Sequence, residues 1–237
     1  MKKLLEGRRV LLTGASRGVG LAVARKFLMH GAEVLGTARD SGRLEAVAEN
    51  LDQLAPGKFT YLVADLNEKA APERLSQAVA RRWGALDILV NNAGVMLSHA
   101  ASFEQEAPNT LERSLAVNLL APFHLSLSCL PLLKSGHEPR IILVGSGAGN
   151  FASVAEKSIP SYRLSKWALH GLALSLAGQL APSIAVNAFD PGWVKTDLAG
   201  SEAPGSVEES AEGALKLATL PFSEHGKFYK DGNEISF

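Results

Sequence analysis

Tyr162-Arg163-Leu164-Ser165-Lys166 sets a phenol and an ammonium four residues apart, a spacing that puts both on one face of a helix. There the ammonium can lower the proton affinity of the phenol through space. Such a phenol gives a proton to a carbonyl oxygen, or takes one from an alcohol. A structural tyrosine beside a solvated lysine has the same spacing, so the pair needs a companion. Ser146 is one: it follows the apolar run Arg140-Ile141-Ile142-Leu143-Val144-Gly145, and a hydroxyl at the end of a buried strand can orient the same carbonyl oxygen. Ser153, Ser158 and Ser161 lie in the interval before Tyr162, where each suits a cap or a turn. His99, His124, His137, His170 and His225 accompany no nucleophile elbow and show no zinc-ligand spacing, so neither a Ser-His-acid triad nor a metal is expected.

A second set of residues points to an anion. The apolar Val10-Leu11-Leu12 passes into Thr13-Gly14-Ala15-Ser16-Arg17-Gly18-Val19-Gly20 and then into an amphipathic run from Leu21 to Leu28, which reads as strand, tight turn and helix. Glycines at 14, 18 and 20 let the backbone approach a phosphate, with the first helical amides facing it. The spacing is neither G-x-G-x-x-G nor the Lys-bearing nucleotide loop, and a sharp turn without a ligand is the competing reading. After the next strand stands Arg39, where an acidic residue would bind ribose hydroxyls and a basic one a 2′-phosphate. Arg17 can reach the same anion, so NADP(H) is expected over NAD(H), although Asp40 could instead occupy Arg39. Asp65, followed by Leu66, ends a third apolar run and suits either an adenine amino group or a turn ahead of Asn67-Glu68. Leu89-Val90-Asn91-Asn92-Ala93-Gly94 carries an apolar strand into two amides and two small residues, a tight passage beside a ligand or a plain turn.

The elements that must position these groups alternate. Strand-like runs lie near 8–13, 33–38, 59–64, 86–91, 139–145, 183–189 and 226–230; helical patterns lie near 18–30, 41–54, 68–83, within 103–134, and at 160–180 and 207–220. This alternation predicts an α/β fold, a Rossmann-like doubly wound parallel sheet with helices on both faces and ligands at the carboxyl ends of its strands. A single domain over 1–237 is expected, with Pro108, Pro122 and Pro131 bending or dividing the fourth helical region. Lys plus Arg and Asp plus Glu number 24 each, which gives no general pull toward nucleic acid or an anionic membrane. Met1 to Glu6 is too short and charged for a signal peptide, and no uninterrupted apolar run of spanning length is expected. The lone Cys129 reads as a buried small hydrophobe, and a cytoplasmic location follows as the default.

The ordered set TGASRGVG at 13–20, Asp65, NNAG at 91–94, Asn118, Ser146, Tyr162-x-x-x-Lys166 and PGWVKTD at 191–197 resembles the short-chain dehydrogenase/reductase family over almost the whole chain. The resemblance implies that Thr13, Gly14, Gly18 and Gly20 shape the cofactor loop, with Asn91 and Gly94 supporting the central sheet and cofactor. It implies that Asn118 holds a water connected to Lys166 in a proton relay, and that Lys166 also contacts the nicotinamide ribose. Tyr162 is then the acid/base, Ser146 orients the carbonyl, and Pro191, Gly192, Val194 and Thr196 flank the nicotinamide. The full expected cofactor path is Thr13, Gly14, Ser16, Arg17, Gly18, Val19, Gly20, Arg39, Asp65, Leu66, Asn92, Ala93, Gly94, Tyr162, Lys166, Pro191, Gly192, Val194 and Thr196. Two departures stand out: Gly145 occupies the first position of the family's common Ser-Ser pair, and the interval from Ser146 to Tyr162 is a few residues longer than in compact members. The PGWVKTD and C-terminal segments look closest to the carbonyl-reductase members.

The expected reaction is therefore NADPH-dependent reduction of an uncharged ketone or aldehyde. NAD-linked oxidation of a secondary alcohol or polyol is one alternative, and a catalytically silent dinucleotide sensor is another. Met96, Leu97, Phe151 and Trp193 are the expected substrate walls, and Ser201 to Ser206 an expected movable cover. The apolar faces within 103–134 and 160–180 predict a homodimer.

Overall fold

The computed structural model describes residues 3–198 and 200–237. Eight strands form one sheet in the order β3-β2-β1-β4-β5-β6-β7-β8. They are β1 (Arg9–Thr13), β2 (Glu33–Ala38), β3 (Phe59–Val63), β4 (Ile88–Asn91), β5 (Arg140–Val144), β6 (Ala185–Asp190), β7 (Phe228–Lys230) and β8 (Asn233–Ile235). The first seven pair in parallel and β8 closes the edge antiparallel to β7. β8 is not anticipated in the sequence, because its three residues carry no apolar alternation and only tertiary pairing defines them.

Alternation along the central strands sorts the core into two layers. Val10 and Leu12 face α1 (Gly18–Met29), α2 (Ser41–Leu54) and α7 (Val207–Thr219), whereas Leu11 faces α3 (Ala71–Trp83), α5 (Ala121–Lys134) and α6 (Pro160–Leu180). All three strand residues are fully buried, each burial contributing about 1.5–3 kcal/mol before entropy is counted. The third helix begins at Ala71 rather than 68, with Pro72 in its first turn.

The region 103–134 is divided near Pro108 and Pro122, whereas Pro131 lies inside α5 without ending it. A short 3-10 turn (Phe103–Gln105) precedes α4 (Thr110–Leu115), and a π turn (Ala116–Leu120) joins α4 to α5. Pro122 has no N–H to return to the carbonyl of residue 118, so the helix widens by one residue where Asn118 sits. The helical stretch Thr110–Lys134 is long and apolar enough to cross a bilayer, with an 18-residue window of mean hydropathy 1.6, although Glu112, Arg113, Asn118 and His124 interrupt its apolar residues. Its Leu125, Cys129 and Leu133 are buried in the second core layer, and burial pushes the Cys129 thiol up to about 12.

The chain builds outward from β1 to β3, then returns to β4 on the other side of β1. That reversal opens a crevice at the carboxyl ends of β1 and β4, where the expected site residues converge.

Candidate active site

A cavity of about 760 Å³ follows this crevice, lined at one end by Gly14, Ser16, Arg17, Gly18, Val19 and Gly20 and at the other by Ser146, Tyr162 and Lys166. Between them come Arg39, Asp65, Leu66, Asn92, Ala93, Gly94, Pro191, Gly192, Val194 and Thr196. Every residue of the expected cofactor path thus lines the cavity except Thr13. That side chain is buried beneath the turn, its Oγ1 accepting the amides of Asn92 and Ala93 at 3.0 Å each. Thr13 therefore shapes the floor instead of touching the space.

The first end suits an anion. The N-cap of α1 is Arg17, which makes no side-chain capping bond, and no acidic residue lies in the first turn. The opening amides are left for a ligand. The turn is close-packed as well: Gly18 has φ +55, and a Cβ on Gly20 would stand 2.1 Å from the Gly14 carbonyl oxygen. By contrast α7, whose Val207 and Glu208 also line the cavity, carries a complete capping box from Ser206 and Glu209. Uncapped amides with Arg17 and Arg39 beyond them make a donor set suited to a pyrophosphate and a phosphorylated ribose, and the Asp65 carboxylate is an acceptor suited to an amino-bearing base.

Three details of this end differ from expectation. Asp40 does not occupy Arg39; it caps α2, accepting the Arg43 amide at 3.0 Å. Arg17 is not free, since it forms an ion pair with Asp197, and Arg43 reaches the same carboxylate at 3.5 Å. Asp65 satisfies both of its readings, lining the cavity while its Oδ1 accepts the backbone and side-chain N–H groups of Asn67 at 2.9 Å.

At the other end α6 presents Tyr162 and Lys166 one turn apart, and Ser146, just past the end of β5, lies close enough to the phenol to lower its proton affinity. Lys166 is buried and donates to the Val144 carbonyl at 2.8 Å. Burial pushes its ammonium down to about 8, opposed by the nearby Asp190 carboxylate. Burial also pushes the Tyr162 phenol up to about 12; Ser146 pulls it down and Asp190 adds to the rise. The expected lowering by Lys166 is not among the causes that act on the phenol, and desolvation of the phenolate dominates.

Asn118 lies under this end and does not line the cavity. Its side chain is spent on structure: Oδ1 accepts the Val95 amide at 2.8 Å, and Nδ2 donates to the Val95 carbonyl and to Ser165 Oγ at 2.9 Å each. This ties the loop after β4 to α6. The expected walls Met96, Leu97, Phe151 and Trp193 do not line the cavity, and the last three are exposed. Val95, Val117, Val194 and Leu198 supply the apolar lining instead. The segment 201–206 includes the α7 cap but not Ala199, which lies outside the described residues.

Four supporting residues escaped the sequence reading. Asp190 ends β6 and faces Lys166. Asp197 bridges two arginines. His170, two turns along α6 from Tyr162, accepts the Ser146 amide at 3.4 Å. Arg163 is buried and holds the loop after Ser146, donating to the carbonyls of Ser153 and Ser158 at 3.0 Å and to Glu156 at 2.9 Å. Arg163 stands inside the Tyr-Lys motif, and that position is the only sequence signal of its role.

A family model described as short chain dehydrogenase matches residues 8–206. The oxidoreductase UcpA of Escherichia coli K12 is 33% identical over 212 residues, covering 89% of this chain and 78% of UcpA. Among solved structures, an NADPH-bound carbonyl reductase from chicken fatty liver is 28% identical with a TM-score of 0.87, covering 98% of this chain and 100% of that one. The RhlG/NADP active-site complex of Pseudomonas aeruginosa is 32% identical with a TM-score of 0.86, covering 96% of each chain.

Proposed function

The chain belongs to the short-chain dehydrogenase family, and from that membership we propose that it is an NADPH-dependent oxidoreductase reducing an uncharged ketone or aldehyde, with Tyr162 as proton donor. The observation that carries the reading is one cavity with an uncapped, arginine-flanked helix terminus at one end and Ser146, Tyr162 and Lys166 at the other. The similarity to NADP-bound carbonyl reductase and RhlG supports the cofactor. When bound, the cofactor supplies the hydride.

The remaining chemistry belongs to the chain. Ser146 orients the carbonyl oxygen, and Tyr162 gives its proton to the developing alkoxide. Raised proton affinity suits that direction, because the phenol stays protonated until an oxyanion forms beside it. Lys166 contributes a buried positive charge near the phenol and would hold the nicotinamide ribose. Asn118 anchors Val95 and the helix that carries Tyr162. Arg17 and Arg39 would receive the 2′-phosphate, and Asp65 the adenine amino group. The apolar lining from Val95, Val117, Val194 and Leu198 favours a substrate without charge.

The test is steady-state oxidation of NADPH and of NADH across a panel of carbonyl compounds, with alcohol formation measured in parallel. NADPH-linked turnover with a lower KM than for NADH is expected. Tight NADPH binding without turnover of any compound would favour the sensing alternative.

We also propose a cytoplasmic homodimer. Leu120, Phe123 and Leu127 on one side and Trp167 and Leu174 of α6 on the other are exposed large apolar residues, recurring at three, four and seven positions as on a helix face that seeks a partner. Sedimentation over a concentration series should show a dimer; a monomer at every concentration rejects it.

A further inference from the structure

Gly145 and His170 occupy one space. A Cβ built on Gly145 would stand 2.6 Å from His170 Nε2, 3.1 Å from Phe228 Cε2 and 3.2 Å from His170 Cδ2, so the closest contact a side chain at 145 would meet is the imidazole at 170. The same Nε2 accepts the backbone N–H of Ser146 at 3.4 Å. The ring is 2% exposed and held by aromatics, with Phe228 at 4.5 Å and Phe237 at 5.6 Å between centroids. Its other nitrogen, Nδ1, is buried and forms no hydrogen bond.

Resting on the reading of Ser146 as the carbonyl-orienting group, we infer that His170 is a positioning residue: it fixes the backbone of Ser146 from behind, and Gly145 is the small residue that admits it. Where the resemblance implies a Ser-Ser pair this chain has Gly145-Ser146, and the imidazole fills the space that a side chain at 145 would take.

The acceptor role requires a neutral ring with its proton on Nδ1, since a protonated imidazole has no lone pair at Nε2. Burial and the adjacent Lys166 ammonium both push the imidazole down, to about 4. The charged group that acts on it is Lys166 on its own helix, and the Gly149 backbone in the loop after Ser146 opposes the lowering. β5 contributes the Ser146 amide, and β7 and the C-terminal segment contribute only the rings of Phe228 and Phe237. The ring is thus a fixed acceptor across the working pH range and not a proton donor.

Two comparisons test the assignment. His170→Gln keeps an acceptor at the reach of Nε2, whereas His170→Met keeps length and bulk without one. We expect His170→Met to lose about tenfold in kcat and His170→Gln to stay within about threefold of the parent, with NADPH affinity unchanged in both. If both variants keep the parent kcat, or both lose it equally, the acceptor role is wrong. Gly145→Ala should lose activity in the parent and recover about tenfold when combined with His170→Ala, which vacates the contact. Equal damage in both backgrounds overturns the pairing. Should the Gly145 variants fail to fold, the Gln and Met comparison decides alone. Ser146→Ala is measured alongside: parental kcat there sinks the reading of Ser146 itself, whereas a crippled Ser146→Ala beside a parent-like His170→Met sinks only the role of His170.

Discussion

Asp87 and Asp190 are buried carboxylates at opposite ends of the same parallel sheet, and their surroundings differ. Asp87, just ahead of β4, is saturated with donors. Arg9 meets it with two side-chain bonds at 2.9 and 2.8 Å, and the amides of Arg9 and His137 donate at 2.8 and 2.7 Å. Burial raises its proton affinity, and those bonds overcome the rise and hold it below the ordinary carboxylate range. Asp190, the last residue of β6, accepts one amide, from Gly192 at 2.9 Å, and has Lys230 at 3.6 Å. The rest of its field acts on Lys166 and Tyr162. Buried charge at the amino edge is spent on joining strands, whereas at the carboxyl edge it remains available to groups that face the cavity.

The contrast breaks most directly at Tyr162. Tyr162→Phe removes the transferable proton but keeps the ring, and should lower single-turnover hydride transfer by about 10²–10⁴-fold with NADPH affinity retained. A folded variant that binds NADPH and reacts at the parent rate would remove the proton-transfer role and with it the functional half of the comparison. At the other edge, Asp87→Ala leaves Arg9 and the His137 amide without their acceptor. It should cost about 3–5 kcal/mol in urea unfolding, while the folded fraction keeps the parent kcat. Loss of kcat without loss of stability would mean that the two edges are not divided as proposed.

Asp190→Asn sharpens the comparison through pH. In the chain by itself burial lowers the Lys166 ammonium to about 8, and the Asp190 carboxylate opposes that lowering. Removing the carboxylate lowers the ammonium further, so Lys166 loses its proton at a lower pH. The alkaline limb of kcat/KM should move to lower pH, with little change near about pH 6 and a several-fold loss near about pH 8.5. An unmoved alkaline limb would show that Asp190 does not act through Lys166.

What could be read without coordinates follows the same division. The turn at 13–20, the strand ends at Arg39 and Asp65, and the Ser146, Tyr162 and Lys166 set were legible because each is a local pattern placed by a strict alternation of strand and helix. Thr13 and Asn118 were legible as positions but not as contacts, since only the folded chain shows Thr13 gripping the loop after β4 and Asn118 gripping Val95. Pro122 did announce a break in its helix, yet the π turn it produces depends on which carbonyl loses a partner. His170, Asp190 and Arg163 were not legible as supports. Their roles come from meetings across elements: His170 with the end of β5, Asp190 with α6, and Arg163 with carbonyls up to 15 residues before it.

A third carboxylate, Asp197, gives the smallest expected effect and the finest test of the comparison, because it is exposed and yet lies at the ligand end of the sheet. Its bond and charge interaction with Arg17, and then those with Arg43, hold its carboxyl below the usual range. Exposed ion pairs add little to stability, so Asp197→Asn should leave the thermal midpoint unchanged. Its effect should appear in binding. The carboxylate pairs with Arg17, one of the two arginines proposed to receive a 2′-phosphate, and the two anions compete for its guanidinium charge. Neutralising it should tighten NADPH binding a few-fold and leave NADH affinity nearly unchanged, with the difference shrinking as salt rises and screens the pairs. Equilibrium titration with both cofactors at low and high salt measures this. Weaker NADPH binding in Asp197→Asn would reverse the assignment, making Asp197 the residue that holds Arg17 in place for the phosphate and not its competitor.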